Sequence, residues 1–282
     1  MSRTWHSEDG PPAFQPLTPA GVIRAVMRGV PLAINTFGCL ALLLLLRLIE
    51  GPVFGAHRPL TPQITRYVCR SAFLILGMGY RVEGRPMTAA GAVVANHVSW
   101  LDIFALNAPQ PVYFVSKSEV AEWPGIGWLA RATGTIFIRR DRRDAAAQKS
   151  LLGSRLAEGH KLVFFPEGTS TDGRRVLDFQ STLFAAFFED GLVERLSLQP
   201  VSLVYEAPEG QDPRFYGWWG DMSFEGHLLR VLSARRQGRV RVIFHAPMAL
   251  SELPDRKAAA RQLHARVAQP VAQSAGKAIA DG

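Results

Sequence analysis

Apolar and polar positions divide the chain into regions of different character. From Val30 to Ile49 the chain is almost continuously apolar, with five leucines in a row at Leu42–Leu46 and Arg47 as the one charge. A helix apolar on all sides is either buried or in lipid. The uninterrupted apolar stretch within it is slightly shorter than the about 20 residues a full span needs. A spanning helix, a helix half-sunk in one leaflet and a core helix of a soluble protein all fit it. It starts too far in, and lacks a small-residue cleavage site, to be a secretory signal. Before it, residues 1–20 are polar and carry Pro11, Pro12, Pro16 and Pro19, which predicts a loosely packed tail. Thr18-Pro19 is a helix start, a capping hydroxyl followed by proline in the first helical position. Residues 61–79 repeat the apolar theme more weakly, which predicts a second membrane-facing helix packed on the first.

From about residue 80 the pattern changes to short strands alternating with helices. Strands are expected at 80–84, 92–95, 111–115, 134–141, 162–165, 196–205 (interrupted by Pro200) and 239–245. An amphipathic helix is expected at 145–158 and a basic, Ala-rich helix at 253–272. This alternation predicts an α/β layered domain. The division expected is 1–60 for tail and membrane helix, and 61–282 for the layered domain. Gly125-Ile126-Gly127-Trp128-Leu129-Ala130 matches a loose dinucleotide pattern, but no strand precedes it, so the phosphate-binding context is missing. Trp123 and Trp128 suit either a membrane interface or the core.

Composition narrows the classes. Of the 282 residues 48% are apolar, which excludes disorder, and the formal net charge is +8. There is no zinc-finger spacing and no long basic block, and the arginines stand beside aromatic and aliphatic residues. That favours a membrane or an anionic lipid over nucleic acid as partner. Two cysteines, Cys39 and Cys69, make neither a disulfide framework nor a metal site.

The chemistry concentrates in two turns. Ala92-Val93-Val94-Ala95 runs into Asn96-His97-Val98-Ser99-Trp100-Leu101-Asp102. In one straight helix His97 and Asp102 would lie about 140° apart and about 7.5 Å along the axis, out of contact. With His97 in the turn and Asp102 in the first helical turn, they meet. Such a pair takes a proton from a hydroxyl, with the carboxylate fixing the tautomer of the imidazole. The alternative is a capping box between Ser99 and Asp102, with His97 incidental. The second turn is Pro166-Glu167-Gly168-Thr169-Ser170-Thr171-Asp172-Gly173, after the apolar Leu162–Phe165. A Gly-rich, hydroxyl-rich turn after a strand offers backbone N–H groups to an anion or a developing oxyanion. Glu167 there is placed to contact a substrate hydroxyl; a plain polar turn is the alternative. Arg139 and Arg140, at the end of the strand from Gly134, are either an anion clamp or a solvated strand end.

Four stretches in order resemble the glycerolipid acyltransferase family. Asn96, His97 and Asp102 match its N-H-x4-D block; Gly134, Phe137 and Arg140 match G-x-[IF]-F-[IV]-x-R. Phe165, Pro166, Glu167, Gly168, Thr169 and Ser170 match F-P-E-G-T-[RS], and Pro200 a proline-centred strand. The first and third blocks are quite specific, and the resemblance covers roughly residues 60–250. It implies a layered α/β domain with a mixed sheet flanked by helices, preceded by one or two membrane-associated helices. It implies acyl transfer from an acyl carrier protein or coenzyme A thioester to a lysolipid hydroxyl at the cytoplasmic face of the inner membrane. No cofactor is implied. His97 would be the general base and Asp102 its orienter. Asn96, Arg140, Glu167, Gly168, Thr169, Ser170 and Asp172 would line the acceptor site. The common third block has Arg where this chain has Ser170. The F-P-E-G-T-S-x-D-G form, with Trp218-Trp219-Gly220-Asp221-Met222 downstream, is more similar to the branch that acylates lyso-ornithine lipid. Its acceptor hydroxyl belongs to a 3-hydroxyacyl chain, and Asp172 would meet the ornithine ammonium. Lysophosphatidate remains the alternative acceptor.

Overall fold

A computed structural model describes residues 4–13, 16–55, 58–138, 145–188 and 192–280. Helix α1 (Pro19–Phe54) is followed by α2 (Thr61–Leu76), then by β1 (Gly79–Glu83), β2 (Gly91–Ala95), α3 (Leu101–Asn107), β3 (Tyr113–Lys117), α4 (Ile126–Ala132) and β4 (Ile136–Ile138). Beyond them come α5 (Ala145–Ala157), β5 (Leu162–Phe164), β6 (Ser197–Glu206), α6 (Phe224–Ser233), β7 (Arg239–Phe244), β8 (Met248–Ala249) and α7 (Arg256–Ala280). The sheet order is β1-β7-β6-β2-β5-β3-β4, with β8 also on β6. β6 runs antiparallel to β7 and β8, and the remaining pairs are parallel, so the sheet is mixed.

Strand β2 lies inside this sheet, and its two-residue alternation sorts the core. Val93 and Ala95 pack into a cluster with residues of α1, α2, α3 and α6. Ala92 and Val94 pack with Leu152 and Leu156 of α5, Phe184, and Ala259, Leu263 and Val267 of α7. Both faces are covered, which explains why the strand reads as an unbroken apolar run. The C-terminal end of β2 delivers Asn96 and His97 to the sheet edge, where open α/β sheets build their sites.

Helix α1 extends well beyond the apolar run, to 36 residues, about 54 Å at 1.5 Å per residue. Thr18 caps it, accepting from the Gly21 N–H at 3.1 Å. Among the described residues it is the one helix long and apolar enough to cross a membrane, and 11% of its most apolar window is buried. Val26, Met27, Val30, Ile34, Leu45, Leu48 and Ile49 are exposed. Its first half is also docked on the protein. Arg24 Nε donates to the Ser233 carbonyl at 2.8 Å, and Arg28 Nη1 to those of Leu232 and Ala234 at 2.9 and 2.6 Å. These guanidinium groups cap the C-terminus of α6. α2 packs on α1 through Asn35 and Ser71 (2.9 Å), and its Arg66 and Arg70 both donate to the Ala108 carbonyl at the end of α3.

Three expectations change. β6 runs unbroken through Pro200, which pairs with Val94 on the β2 side. On its other side, Ser197 and Leu198 pair with β8 and Val201 onward with β7. Pro200 falls between the two, so neither partner needs the N–H that proline lacks. Helix α6 was not anticipated among the aromatic residues that precede it. The tail is not loose over residues 4–13. The Trp5 N–H reaches Thr169 Oγ1 at 3.3 Å, the Trp5 ring meets Trp219 at 5.9 Å, and Arg214 donates to the Gly10 carbonyl at 3.1 Å.

Gly91 sets how closely β2 and β6 approach. Its φ is +144°, and a Cβ would stand 1.8 Å from the Ser197 carbonyl oxygen. Gly91→Ala should therefore destabilise the protein by at least about 2 kcal/mol through strain and overpacking. Thermal unfolding in detergent measures this; an unchanged melting temperature would contradict the register described.

Candidate active site

The turn after β2 is folded around one carboxylate. Asp102 is fully buried, and its Oδ2 accepts from the Val98 N–H at 2.7 Å and the Ser99 N–H at 3.0 Å. The same oxygen lies 2.7 Å from His97 Nδ1. Oδ1 accepts the Tyr205 hydroxyl at 2.7 Å. One carboxylate oxygen therefore serves both the Ser99 N–H and the His97 imidazole. Asp102 supplies one arm of a capping arrangement, and Ser99 Oγ accepts from the Leu101 N–H at 3.3 Å. The same carboxylate also orients the imidazole. With Nδ1–H donated to Asp102, Nε2 carries the free lone pair. The His97 side chain is 24% exposed while that of Asp102 is 0% exposed, so the pair faces outward through the imidazole. The imidazole stacks on Phe165, with centroids 4.2 Å apart and planes 12° apart.

The second turn is stitched to the first through backbone atoms. Glu167 is buried; its Oε1 accepts from the His97 N–H and its Oε2 from the Leu177 N–H, each at 2.7 Å. The Thr171 N–H returns to the His97 carbonyl at 3.0 Å, and the Trp218 N–H to the Val98 carbonyl at 2.9 Å. Gly168 turns the chain with a φ of +74°. Burial pushes the Glu167 carboxyl up to about 8, and nearby Asp102 and Asp172 raise it further against its two N–H bonds.

The other expected site residues divide by what they touch. Asn96 is fully buried and spends its amide on β6: Nδ2 donates to the Leu203 carbonyl at 3.0 Å and Oδ1 accepts the Leu203 N–H at 2.7 Å. Thr169 meets Trp5, and Ser170 Oγ donates to the Trp218 carbonyl. Asp172 is buried: Oδ1 accepts the Arg174 N–H at 3.0 Å, and Oδ2 lies 3.1 Å from Arg175 Nη2. Arg175 in turn stands 5.3 Å over the Trp5 ring. Arg139 and Arg140 lie outside the described residues. The structure thus joins His97, Asp102, Glu167 and the 168–172 backbone in one place, with Asn96 behind them.

Three participants escape a reading of the sequence. Tyr205, at the far end of β6, supplies the last donor to Asp102, and burial holds its hydroxyl well above the usual tyrosine range. His227 on α6 accepts the Trp100 indole N–H at 2.9 Å, and burial pushes it down to about 4, so it stays neutral. Trp5 reaches the second turn from the tail. None has a local signal, because each partner lies more than a hundred residues away in the chain.

A mixed sheet with helices on both faces, a membrane-length helix and an outward-facing His–Asp pair define a protein suited to proton removal from a hydroxyl at a lipid surface. The chain belongs to the acyltransferase family, whose profile matches residues 80–204. It is 56% identical to the lyso-ornithine lipid O-acyltransferase of Rhodobacter capsulatus over 97% of this chain and 99% of that one. It is 31% identical to a 1-acyl-sn-glycerol-3-phosphate acyltransferase of Neisseria meningitidis, over 74% of this chain and 81% of the other. Its fold is similar to that of the 1-acyl-sn-glycerophosphate acyltransferase PlsC from Thermotoga maritima. The TM-score is 0.57 at 19% identity, over 88% of this chain and 97% of that one. An acyltransferase needs an acyl donor and an acceptor, here a lipid.

The Glu167 carboxyl carries a pH signature. An unfolded Glu titrates near about 4.3, and in the fold the value is about 8. A raised carboxyl contributes stability that is fully present below the unfolded value and is lost as pH rises through about 8. Wild-type melting temperature should decline between about pH 5 and pH 8 from this group. Glu167→Gln should flatten that slope, and should lower stability at pH 5, because one backbone N–H loses its acceptor. Melting curves across pH check both; an equal slope in the variant would contradict the assignment.

Proposed function

We propose that this protein acylates lyso-ornithine lipid, moving a fatty acyl chain from a thioester to the hydroxyl of the 3-hydroxyacyl chain. The observation that carries the acceptor is the 56% identity to the Rhodobacter capsulatus enzyme along nearly the whole of both chains. Ser170, standing where the common family block has arginine, agrees with an acceptor that has no phosphate.

In this reading His97 Nε2 takes the proton as the acceptor oxygen attacks the thioester carbonyl. Asp102 holds the tautomer and stabilises the imidazolium through Nδ1. The developing oxyanion faces the backbone N–H groups of Thr169 and Ser170; that of Gly168 closes the turn onto the Phe165 carbonyl. Collapse of the tetrahedral species re-forms the carbonyl and breaks the C–S bond. The imidazolium proton then passes to the departing thiolate. No acyl-enzyme is formed. Glu167 acts as a positioning residue, because both its oxygens hold backbone N–H groups of the site, and Asn96 does the same from behind. Asp172 meets an ornithine ammonium only by exchanging it for Arg175. Arg140 remains an anion ligand for the acceptor carboxylate.

The catalytic unit we infer is residues 61–282, with α1 packed on it as the membrane element. Its donor, acyl carrier protein or a coenzyme A thioester, is cytoplasmic, so the domain sits on the cytoplasmic face of the inner membrane. A basic surface suits either anionic donor. The Neisseria likeness supports 1-acylglycerol-3-phosphate as a second acceptor.

Purified protein with a labelled acyl thioester should acylate lyso-ornithine lipid, and His97→Ala should lose about 10²–10⁴-fold in rate, the usual contribution of general-base help. Activity on 1-acylglycerol-3-phosphate alone would move the reading to the second acceptor. A fully active His97→Ala would remove His97 from the chemistry.

A further inference from the structure

A second cationic site lies away from His97. Arg47 on α1, Arg58 in the α1–α2 connection and Arg155 on α5 gather around Tyr113 at the start of β3. The Arg155 guanidinium stands 4.7 Å over the Tyr113 ring, and its Nη2 donates to the Gly134 carbonyl at 3.2 Å. A small cavity beside this cluster is lined by Leu43, Arg47, Thr61, Asn107, Tyr113 and Thr133, so that Arg47 is the one of the three arginines that lines it. Arg47 Nε, Arg58 Nη1 and Arg155 Nε are each buried without a hydrogen-bond partner among the described residues.

The nearby acid, Glu50, attracts Arg47 through space but hydrogen-bonds none of the three. Glu50 Oε1 accepts the Leu60 and Thr61 N–H groups at 2.7 and 3.2 Å, and Oε2 the Thr61 hydroxyl at 2.6 Å. Buried donors left unpaired cost about 1–3 kcal/mol each, and native interiors rarely leave them so. Like charges brought together add to that cost; Arg58 and burial both depress the Arg155 guanidinium. A tetrahedral oxyanion would pair such donors, because guanidinium groups bind phosphate through directed, charge-assisted bonds.

The surroundings say which phosphate. Arg47 is flanked on α1 by Leu44, Leu45, Leu48, Ile49 and Val53, all exposed, on the one described helix of membrane length. A lipid whose chains lie on those side chains brings its head group to Arg47. The place is also not the acceptor site. β2, β5 and β3 are parallel, Tyr113 opens β3, and His97 follows the far end of β2. Opposite ends of a five-residue strand are about 16 Å apart.

We propose that Arg47, Arg58 and Arg155 form a phosphate site for the head group of an anionic phospholipid of the host bilayer, separate from the catalytic centre. The test is thermal unfolding of the full chain in neutral detergent micelles. Phosphatidylglycerol, phosphatidylcholine or inorganic phosphate is added to wild type, Arg58→Gln, Arg155→Gln and Arg256→Gln. Arg256 is exposed on α7, which packs over β6, three strands from β3 in the sheet, and controls for charge alone. Phosphatidylglycerol should raise the wild-type melting temperature saturably, and phosphatidylcholine should not. Arg58→Gln and Arg155→Gln should each lose most of the rise while keeping wild-type acyl transfer in neutral micelles, and Arg256→Gln should keep the rise. If Arg155→Gln does not fold, Arg58→Gln decides. A rise with inorganic phosphate alone would overturn the lipid as occupant. No rise in wild type, or an equal loss in Arg256→Gln, would overturn the site.

Discussion

Everything near the candidate site depends on the burial of the Asp102 carboxylate. Taking a carboxylate out of water costs several kcal/mol unless its lone pairs are met. Here two backbone N–H groups, an imidazole and a tyrosine hydroxyl meet them. Those four donors come from the turn after β2 and from the far end of β6. The carboxylate therefore fixes the path of the 97–102 turn, starts α3, and ties the turn to the sheet. The orientation of His97 follows from this arrangement. A ring stacked on Phe165 and bonded through Nδ1 has little freedom left.

The second turn extends the same logic. Glu167 holds the His97 N–H from one side, and the His97 carbonyl receives the Thr171 N–H in return. The two sequence blocks are thus one structural unit, built from strands β2 and β5 that pair in register. This is why polar residues that read as substrate contacts turn out to be largely committed within the protein. Asn96 and Glu167 spend their side chains on it, and Asp172 spends Oδ1 on the Arg174 N–H while Oδ2 faces Arg175 as an ion pair. What stays available is the outward face of the imidazole and the backbone N–H groups of Thr169 and Ser170.

Much of the fold was legible because its elements announce themselves locally. The apolar run of β2, the alternation of β7 and the Thr18-Pro19 cap each depend on neighbours in sequence. The His97–Asp102 contact was legible for the same reason, since a turn followed by a helix start brings the two together. Tyr205, His227 and Trp5 were not, because their roles exist only across the fold. Pro200 misled for a related reason: whether a proline breaks a strand depends on which partner faces its missing N–H. The positive charge pointed to a lipid or membrane partner, but several arginines prove to be helix caps. Arg24, Arg28, Arg66 and Arg70 bond carbonyls at the ends of α6 and α3. They join α1 and α2 to the domain instead of facing an anionic surface.

The central claim is that the imidazole held by Asp102 activates the acceptor hydroxyl directly. Rapid-mixing measurement of thiol release with acyl donor alone, and then with lyso-ornithine lipid added, tests it most directly. The account predicts no release beyond slow hydrolysis until the acceptor is present. A burst stoichiometric with the protein before any acceptor is added would contradict it, because the acyl chain would then sit on a nucleophile of the protein itself.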